Sequence, residues 1–202
     1  MCPLNLLRDA PKHITDFPPI LTHSDNGCPT LDSSLVRAMN NIIESLKKHL
    51  QRQHCLFDLD HKTATIHFGM EGTNARWRAM GLGDDAGRFV LVSLIPFMAS
   101  EQRRSACAEL MARINFRLGL GHFDIDFKDG ELRFITTVPL AGEAALAEEV
   151  IEHVIRGHHT LVDSFIPAIS AVLFTGMTPE KALTLDEQQQ STSPTKPRFS
   201  LN

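Results

Sequence analysis

The chain has 202 residues, 43% hydrophobic and 22% charged, which suits one globular core of ordinary size with length left over for tails. Its formal net charge of −4 supplies no general attraction to nucleic acid or anionic lipid. The four cysteines, Cys2, Cys28, Cys55 and Cys107, have none of the close spacings of a zinc or redox motif, so reduced thiols in the cytoplasm are the expectation.

Residues 1–31 contain Pro3, Pro11, Pro18, Pro19 and Pro29 and cannot form one long helix. Leu4, Leu6, Leu7, Ile14, Phe17, Ile20 and Leu21 nevertheless leave this irregular segment apolar enough to pack against a domain. Met1 to Leu21 lacks a basic start followed by an unbroken apolar run, so it does not read as a secretory signal. Cys2 has no hydrophobic segment before it and does not read as a lipoprotein acceptor, and no stretch approaches a membrane span free of charges or breakers.

A first helix is expected from Asp32 or Ser33 to about His54, because Leu35, Met39, Ile42, Ile43, Leu46 and Leu50 recur at helical spacing. Three strands follow. Ala64, Ile66, Phe68 and Met70 alternate with polar residues in the first, and Glu71-Gly72-Thr73-Asn74 turns the chain. Arg76 and Arg78 alternate with Ala75, Trp77 and Ala79 in the second. The third, Phe89 to Ile95, is apolar almost throughout, as in a strand covered on both faces. A second helix opens at Ser100, is expected to bury a stripe of Ala106, Cys107, Leu110, Met111, Ile114 and Leu118, and is expected to end at Gly119 in a left-handed turn.

Phe123 to Phe134 reads as a two-residue hairpin, with Asp129-Gly130 supplying a type I′ turn. That register sets Lys128 against Glu131, Asp126 against Arg133, Phe127 against Leu132 and Ile125 against Phe134. A long third helix is expected from about Glu143 to Phe174, weakened at Gly157, kinked at Pro167 and stopped at Gly176. Thr178-Pro179-Glu180 opens a short last helix, and the Gln-, Ser-, Thr- and Pro-rich chain from Leu185 on is expected to be disordered. The elements make one α+β domain over 32–184: helix, three strands, helix, two strands, long helix, with a mainly antiparallel sheet of about five strands.

Chemical signatures are sparse. The acids around Asp124 to Glu131 miss EF-hand spacing, since the sixth and twelfth residues from Asp124 are Asp129 and Ile135. There is no G-x-S-x-G elbow and no P-loop lysine motif, and neither Gly81-Leu82-Gly83 nor Gly119-Leu120-Gly121 is a dinucleotide loop. His153, His158 and His159, near Glu149 and Asp163, could in principle meet a divalent metal, but no HExxH motif is present. His158 also lies on the apolar stripe, where a hydrogen-bonded core histidine is the usual occupant. His67, Arg76 and Arg78 could form a small basic patch for an acidic peptide, with Asp58 and Asp60 near enough in sequence to neutralise it.

Glu101-Gln102-Arg103-Arg104, Ala112-Arg113-Ile114-Asn115 and Leu118-Gly119-Leu120-Gly121-His122-Phe123-Asp124 together resemble the YbjN-like family. The strand Asp129 to Phe134 resembles it too, as does the last helix with Asp163, Phe165 and Pro167 running into Gly176 and Thr178-Pro179-Glu180-Lys181-Ala182. The resemblance covers about 34–184 and implies a bacterial sensory transduction regulator without catalytic residues or cofactor. It also implies a fold similar to type III secretion chaperones, small α+β proteins that commonly dimerise and bind extended protein segments. The expectation is a cytoplasmic, non-enzymatic regulatory or chaperone-like module whose partner is another polypeptide. The alternative is a metal- or small-molecule-binding protein using His153, His158 and His159.

Overall fold

The computed structural model describes residues 33–61, 63–139 and 147–184. The expected irregular start over 1–31 and disordered tail from 185 lie outside the described residues. Helix α1 (Ser33–Arg52) buries Ile42, Ile43, Leu46 and Leu50, the stripe set by their spacing. Strands β1 (Phe57–Asp60), β2 (Thr65–Glu71), β3 (Arg76–Gly83) and β4 (Arg88–Met98) follow, then helix α2 (Glu101–Asn115). Strands β5 (His122–Ile125) and β6 (Glu131–Pro139) precede helix α3 (Glu148–Ser170), which continues as a π-helical turn over Ala171–Thr175. A short α4 occupies 179–184. The six strands form one antiparallel sheet in the order β1-β2-β3-β4-β6-β5.

The α+β architecture is the expected one, with one strand more. Phe57-Asp58-Leu59-Asp60 is short and half-buried, a weak pattern by itself, and becomes a strand by pairing with Thr65 to Phe68. Helix α1 comes close to the sheet because Gly81 and Gly83 carry no Cβ. A Cβ on Gly83 would stand 3.0 Å from the Met39 Cα, and one on Gly81 would press into Leu46.

The β5–β6 hairpin departs from the expected register. Ile125 faces Leu132, Asp124 faces Arg133 and Phe123 faces Phe134. The two-residue turn is replaced by a longer loop, closed by the Asp126 N–H donating to the Glu131 carbonyl at 2.9 Å and the Gly130 N–H donating to the Asp126 carbonyl at 2.8 Å. Two side chains stabilise this loop: the Lys128 N–H donates to Asp126 Oδ1 at 2.7 Å, and the Glu131 N–H to Asp129 Oδ1 at 2.9 Å. Gly130 supplies the left-handed conformation, φ 88°, and Asp129 does not share it. The slip is two residues, the period of a strand, so Ile125, Leu132 and Phe134 keep their expected face and change only their partners, whereas Phe127, expected opposite Leu132, falls in the loop and is exposed. Arg133 still reaches Asp126 at 3.7 Å.

Helix α2 ends at Asn115, earlier than expected, and Gly121 rather than Gly119 takes the left-handed conformation, φ 69°. Asn115 explains the stop. Its Nδ2 donates to the Phe123 carbonyl at 2.9 Å and its Oδ1 accepts from the Phe123 N–H at 2.8 Å, so the side chain pairs with β5 as a strand would. Ser100 occupies the N-cap position, but its hydroxyl makes no capping bond.

Helix α3 crosses the same face of the sheet as α1 and buries Ile151, Val154, His158, Val162, Ile166 and Ile169. The expected start at Glu143 lies outside the described residues. Gly176 ends the helical run as expected, at φ 74°. Pro167 lies inside the helix, and having no N–H it leaves the carbonyl four residues earlier, that of Asp163, without its helical donor. Asn74 Nδ2 takes that place at 2.9 Å. The Asp163 carboxylate meanwhile accepts from the Thr73 N–H at 3.0 Å and the Asn74 N–H at 2.8 Å, clamping the β2–β3 turn to α3. Asp163→Ala removes the acceptor of two backbone N–H groups and is expected to cost about 1–3 kcal/mol in urea unfolding, with Asp163→Asn costing less. An unchanged midpoint in Asp163→Ala would remove the clamp from the account of stability.

Candidate functional site

Helix α3 carries the three histidines that the sequence singles out, and the fold sends each to a different place. His158 is fully buried (0% exposed) between β4 and β6. Its Nε2 lies 2.7 Å from Ser93 Oγ and its Nδ1 2.9 Å from Thr136 Oγ1. Trp77 Nε1 donates to the same Ser93 oxygen at 2.9 Å. A serine beside a histidine is the pairing of an activated nucleophile, but Ser93 is itself 0% exposed, and the far side of the imidazole meets a hydroxyl rather than an orienting carboxylate. Burial pushes the His158 pKa down to about 3, with His159 acting in the same direction. The group is a neutral connector between helix and sheet.

His159 donates through Nε2 to the Glu71 carbonyl at 2.8 Å, and its ring lies 5.2 Å from that of Trp77. His153 is exposed. Among the described residues, no group of three or more His, Cys, Asp or Glu side chains is placed to hold a metal ion. His159 does line a cavity of about 430 Å³ between α1, β2 and α3, together with His49, Met70, Glu152, Ile155 and Arg156. His49 is 5% exposed and its Nδ1 has no hydrogen-bond partner. Burial lowers its pKa, Glu152 works against that shift, and Arg52 adds to it.

The larger unassigned feature is the sheet face away from the helices. Met80, Val90 and Val92 are buried there, with Leu82, Leu94 and Ile135 packed beside them, and no helix residue belongs to this cluster. In-register pairing sets the rows. Asp58, His67, Met80, Val92, Ile135 and His122 form one. Gly69, Arg78, Leu94, Arg133 and Asp124 form the next.

The sequence-derived patch divides on this frame. His67 and Arg78 lie in adjacent rows of the face. Arg76 is held by Glu71, its Nε 2.7 Å from Oε1. Burial lowers the His67 pKa, Asp58 and Asp60 oppose the shift, and Arg78 adds to it. Arg78 Nη1 is buried without a hydrogen-bond partner. The apolar centre was absent from the sequence-derived patch. Its signal is the run Phe89 to Ile95, apolar on both alternations, of which Phe89, Leu91 and Ile95 join the helix-side core and Val90 and Val92 the second face.

The YbjN family, described as "Putative bacterial sensory transduction regulator", matches residues 43–171. The chain belongs to the YbjN family. The match runs from within α1 to the end of α3, and so includes the whole sheet, the Asn115 bond to β5, the His158 connector and the Asp163 clamp. The YbjN description is that of a regulator and names no reaction. No curated protein matches the chain. Among the described residues no helix is long and apolar enough to cross a membrane.

The depressed His158 pKa makes stability pH-dependent. The unfolded chain takes up a proton as pH falls through about 6.5, whereas the folded protein resists it to about 3, so stability declines on acidification through that window. His49 and His67, also lowered, act with the same sign. Between pH 7.5 and pH 5, above most carboxylate titrations, the unfolding free energy of His158→Gln is expected to fall less steeply than that of the unsubstituted protein. Parallel profiles would show that His158 is not held neutral.

Proposed function

We propose that this YbjN-family chain is a non-enzymatic regulatory module that binds an extended, apolar and acidic segment of another polypeptide across the second face of its sheet. The observation that carries the reading is the Met80, Val90 and Val92 cluster, outside the helical layer, with the Arg78 guanidinium beside it keeping a buried N–H without an acceptor. An apolar strip flanked by a desolvated cation suits a strand-like ligand that offers aliphatic side chains and a carboxylate.

The face is a better candidate than the sheet edges. Both edge strands, β1 and β5, have only four residues. Asp58 and Asp60 on β1 and Asp124 on β5 blunt them further, as charged edge residues do against strand addition. His67 and Arg78 form the polar rim of the proposed site, and Arg76 contributes less because Glu71 already neutralises it. Binding of this kind is chaperone-like. Cytoplasmic action agrees with the buried free thiol of Cys107.

Fluorescently labelled synthetic peptides test the reading. Extended dodecamers alternating Val or Leu with Asp are expected to bind the full-length protein more tightly than the same peptides with Lys in place of Asp. Arg78→Glu should weaken the acidic peptides by roughly tenfold, the size of one desolvated charge-assisted bond. Equal binding of both charge series, or binding untouched by Arg78→Glu, would defeat the proposal. A dimer mass in sedimentation that Arg78→Glu disrupts would assign the face to a second copy instead.

A further inference from the structure

The cavity between α1, β2 and α3 belongs neither to the second sheet face nor to the His158 connector. Leu50 at the end of α1 and Phe68 and Met70 of β2 give it an apolar floor, and Ile155 of α3 forms one flank. Its volume of about 430 Å³ falls within the range of small-molecule sites, ~300–1,000 Å³. The lining elements are braced against one another. Arg52 forms an ion pair with Glu148, which joins the end of α1 to the start of α3. His159 Nε2 bonds to the Glu71 carbonyl, which joins α3 to β2. These links fix the spacing of the walls with nothing bound between them, as a pre-formed site requires.

We propose that this cavity binds a small uncharged amphiphile, an apolar body carrying one hydrogen-bonding head such as a hydroxyl or an amide. The charge balance of the lining selects the class. Both of its carboxylates are already paired, Glu152 with Arg156 and Glu71 with Arg76. Among the described lining residues Arg156 is the one arginine, so no lining carboxylate and no lining guanidinium is left over for a ligand ion. A charged ligand would have to break one of these pairs or stand unmatched against the apolar floor, whereas an uncharged one disturbs neither. His49 supplies the polar contact. It is 5% exposed, and its Nδ1 has no hydrogen-bond partner. Burial keeps the ring uncharged at neutral pH, so it can accept from a hydroxyl or amide N–H, or in its other tautomer donate to a carbonyl. A polar atom left unpaired in the interior costs free energy that a ligand head bonded to the imidazole recovers. Gln53, exposed on the rim, offers the same head both a donor and an acceptor. The site does not depend on the reading of the second sheet face as a polypeptide site.

The test is a methyl-detected NMR titration of the full-length protein, labelled at its Ile, Leu, Val and Met methyl groups, with three probes that share one ring body. At neutral pH 2-naphthol is uncharged, 2-naphthoate is an anion and 2-naphthylmethylamine is a cation. The expected result is saturable shifts of the Leu50, Met70 and Ile155 methyls with 2-naphthol, and binding of the two charged probes weaker by roughly tenfold or more, because each leaves a charge unmatched. Ile155→Trp, whose indole takes up ligand volume, should weaken 2-naphthol by roughly tenfold. His49→Phe keeps a ring in place but removes its nitrogens, and should weaken 2-naphthol by roughly fivefold, the size of one neutral hydrogen bond. If Ile155→Trp does not fold, His49→Phe decides. No shift at the three methyls, equal affinity for the three probes, shifts centred on Met80, Val90 and Val92, or binding indifferent to His49→Phe would each overturn the proposal.

Discussion

Helix α3 can lie across the sheet because the polar groups it carries into the core find partners there. His158 is the decisive one. A buried imidazole without partners costs more than an apolar side chain in its place. Here Ser93 of β4 and Thr136 of β6 each meet one ring nitrogen, and the Trp77 indole of β3 meets Ser93, so one helix residue ties together three neighbouring strands. Five residues on, Asp163 and its carbonyl, left without a helical donor by Pro167, hold the β2–β3 turn. Between these points the helix position is set by directional bonds as well as by its apolar stripe.

That arrangement decides which surfaces remain for recognition. α1 and α3 close one face of the sheet and draw Ile66, Phe68, Phe89, Leu91 and Phe134 into the main core. α2 supports β5 through Asn115, which satisfies the backbone of Phe123 and shortens the exposed edge. The opposite face keeps an apolar centre with charged residues around it, and many of those charges are already paired: Arg76 with Glu71, Arg88 with Asp84, Arg133 with Glu131. Arg78 stands apart, with a buried N–H that has no acceptor. A regulator that works by binding needs a surface of this kind, apolar enough to contribute affinity and polar enough at one point to choose its ligand.

The histidines mark the limit of reading a site from spacing. Helical periodicity put His158 on the buried stripe, and the structure agrees. The neighbouring His159 turns to Trp77 and Glu71, and His153 faces solvent, because residues one and five positions apart point in different directions around a helix. Whether His158 would find hydroxyl partners could not be read from spacing, since Ser93 and Thr136 stand 65 and 22 residues away. The basic patch was legible in part. Alternation placed His67 and Arg78 on the same side, but Glu71, which neutralises Arg76, comes from across the β2–β3 turn.

The sequence by itself determined the α+β class, the helical stripes of α1, α2 and α3, the alternation of the strands, and the family marks around Asn115 and Asp163. These follow from local periodicity, which acts over a few residues. Only the tertiary structure decided the order β1-β2-β3-β4-β6-β5, the two-residue slip of the β5–β6 hairpin, the pairing of Phe57–Asp60 as a sixth strand, and the side of the sheet that the helices leave uncovered. Those choices depend on competition between partners far apart in the chain. In the hairpin, two aspartate side chains bonded to loop amides outweighed the expected two-residue turn, and on the sheet a central strand apolar on both alternations had to share its side chains between two faces.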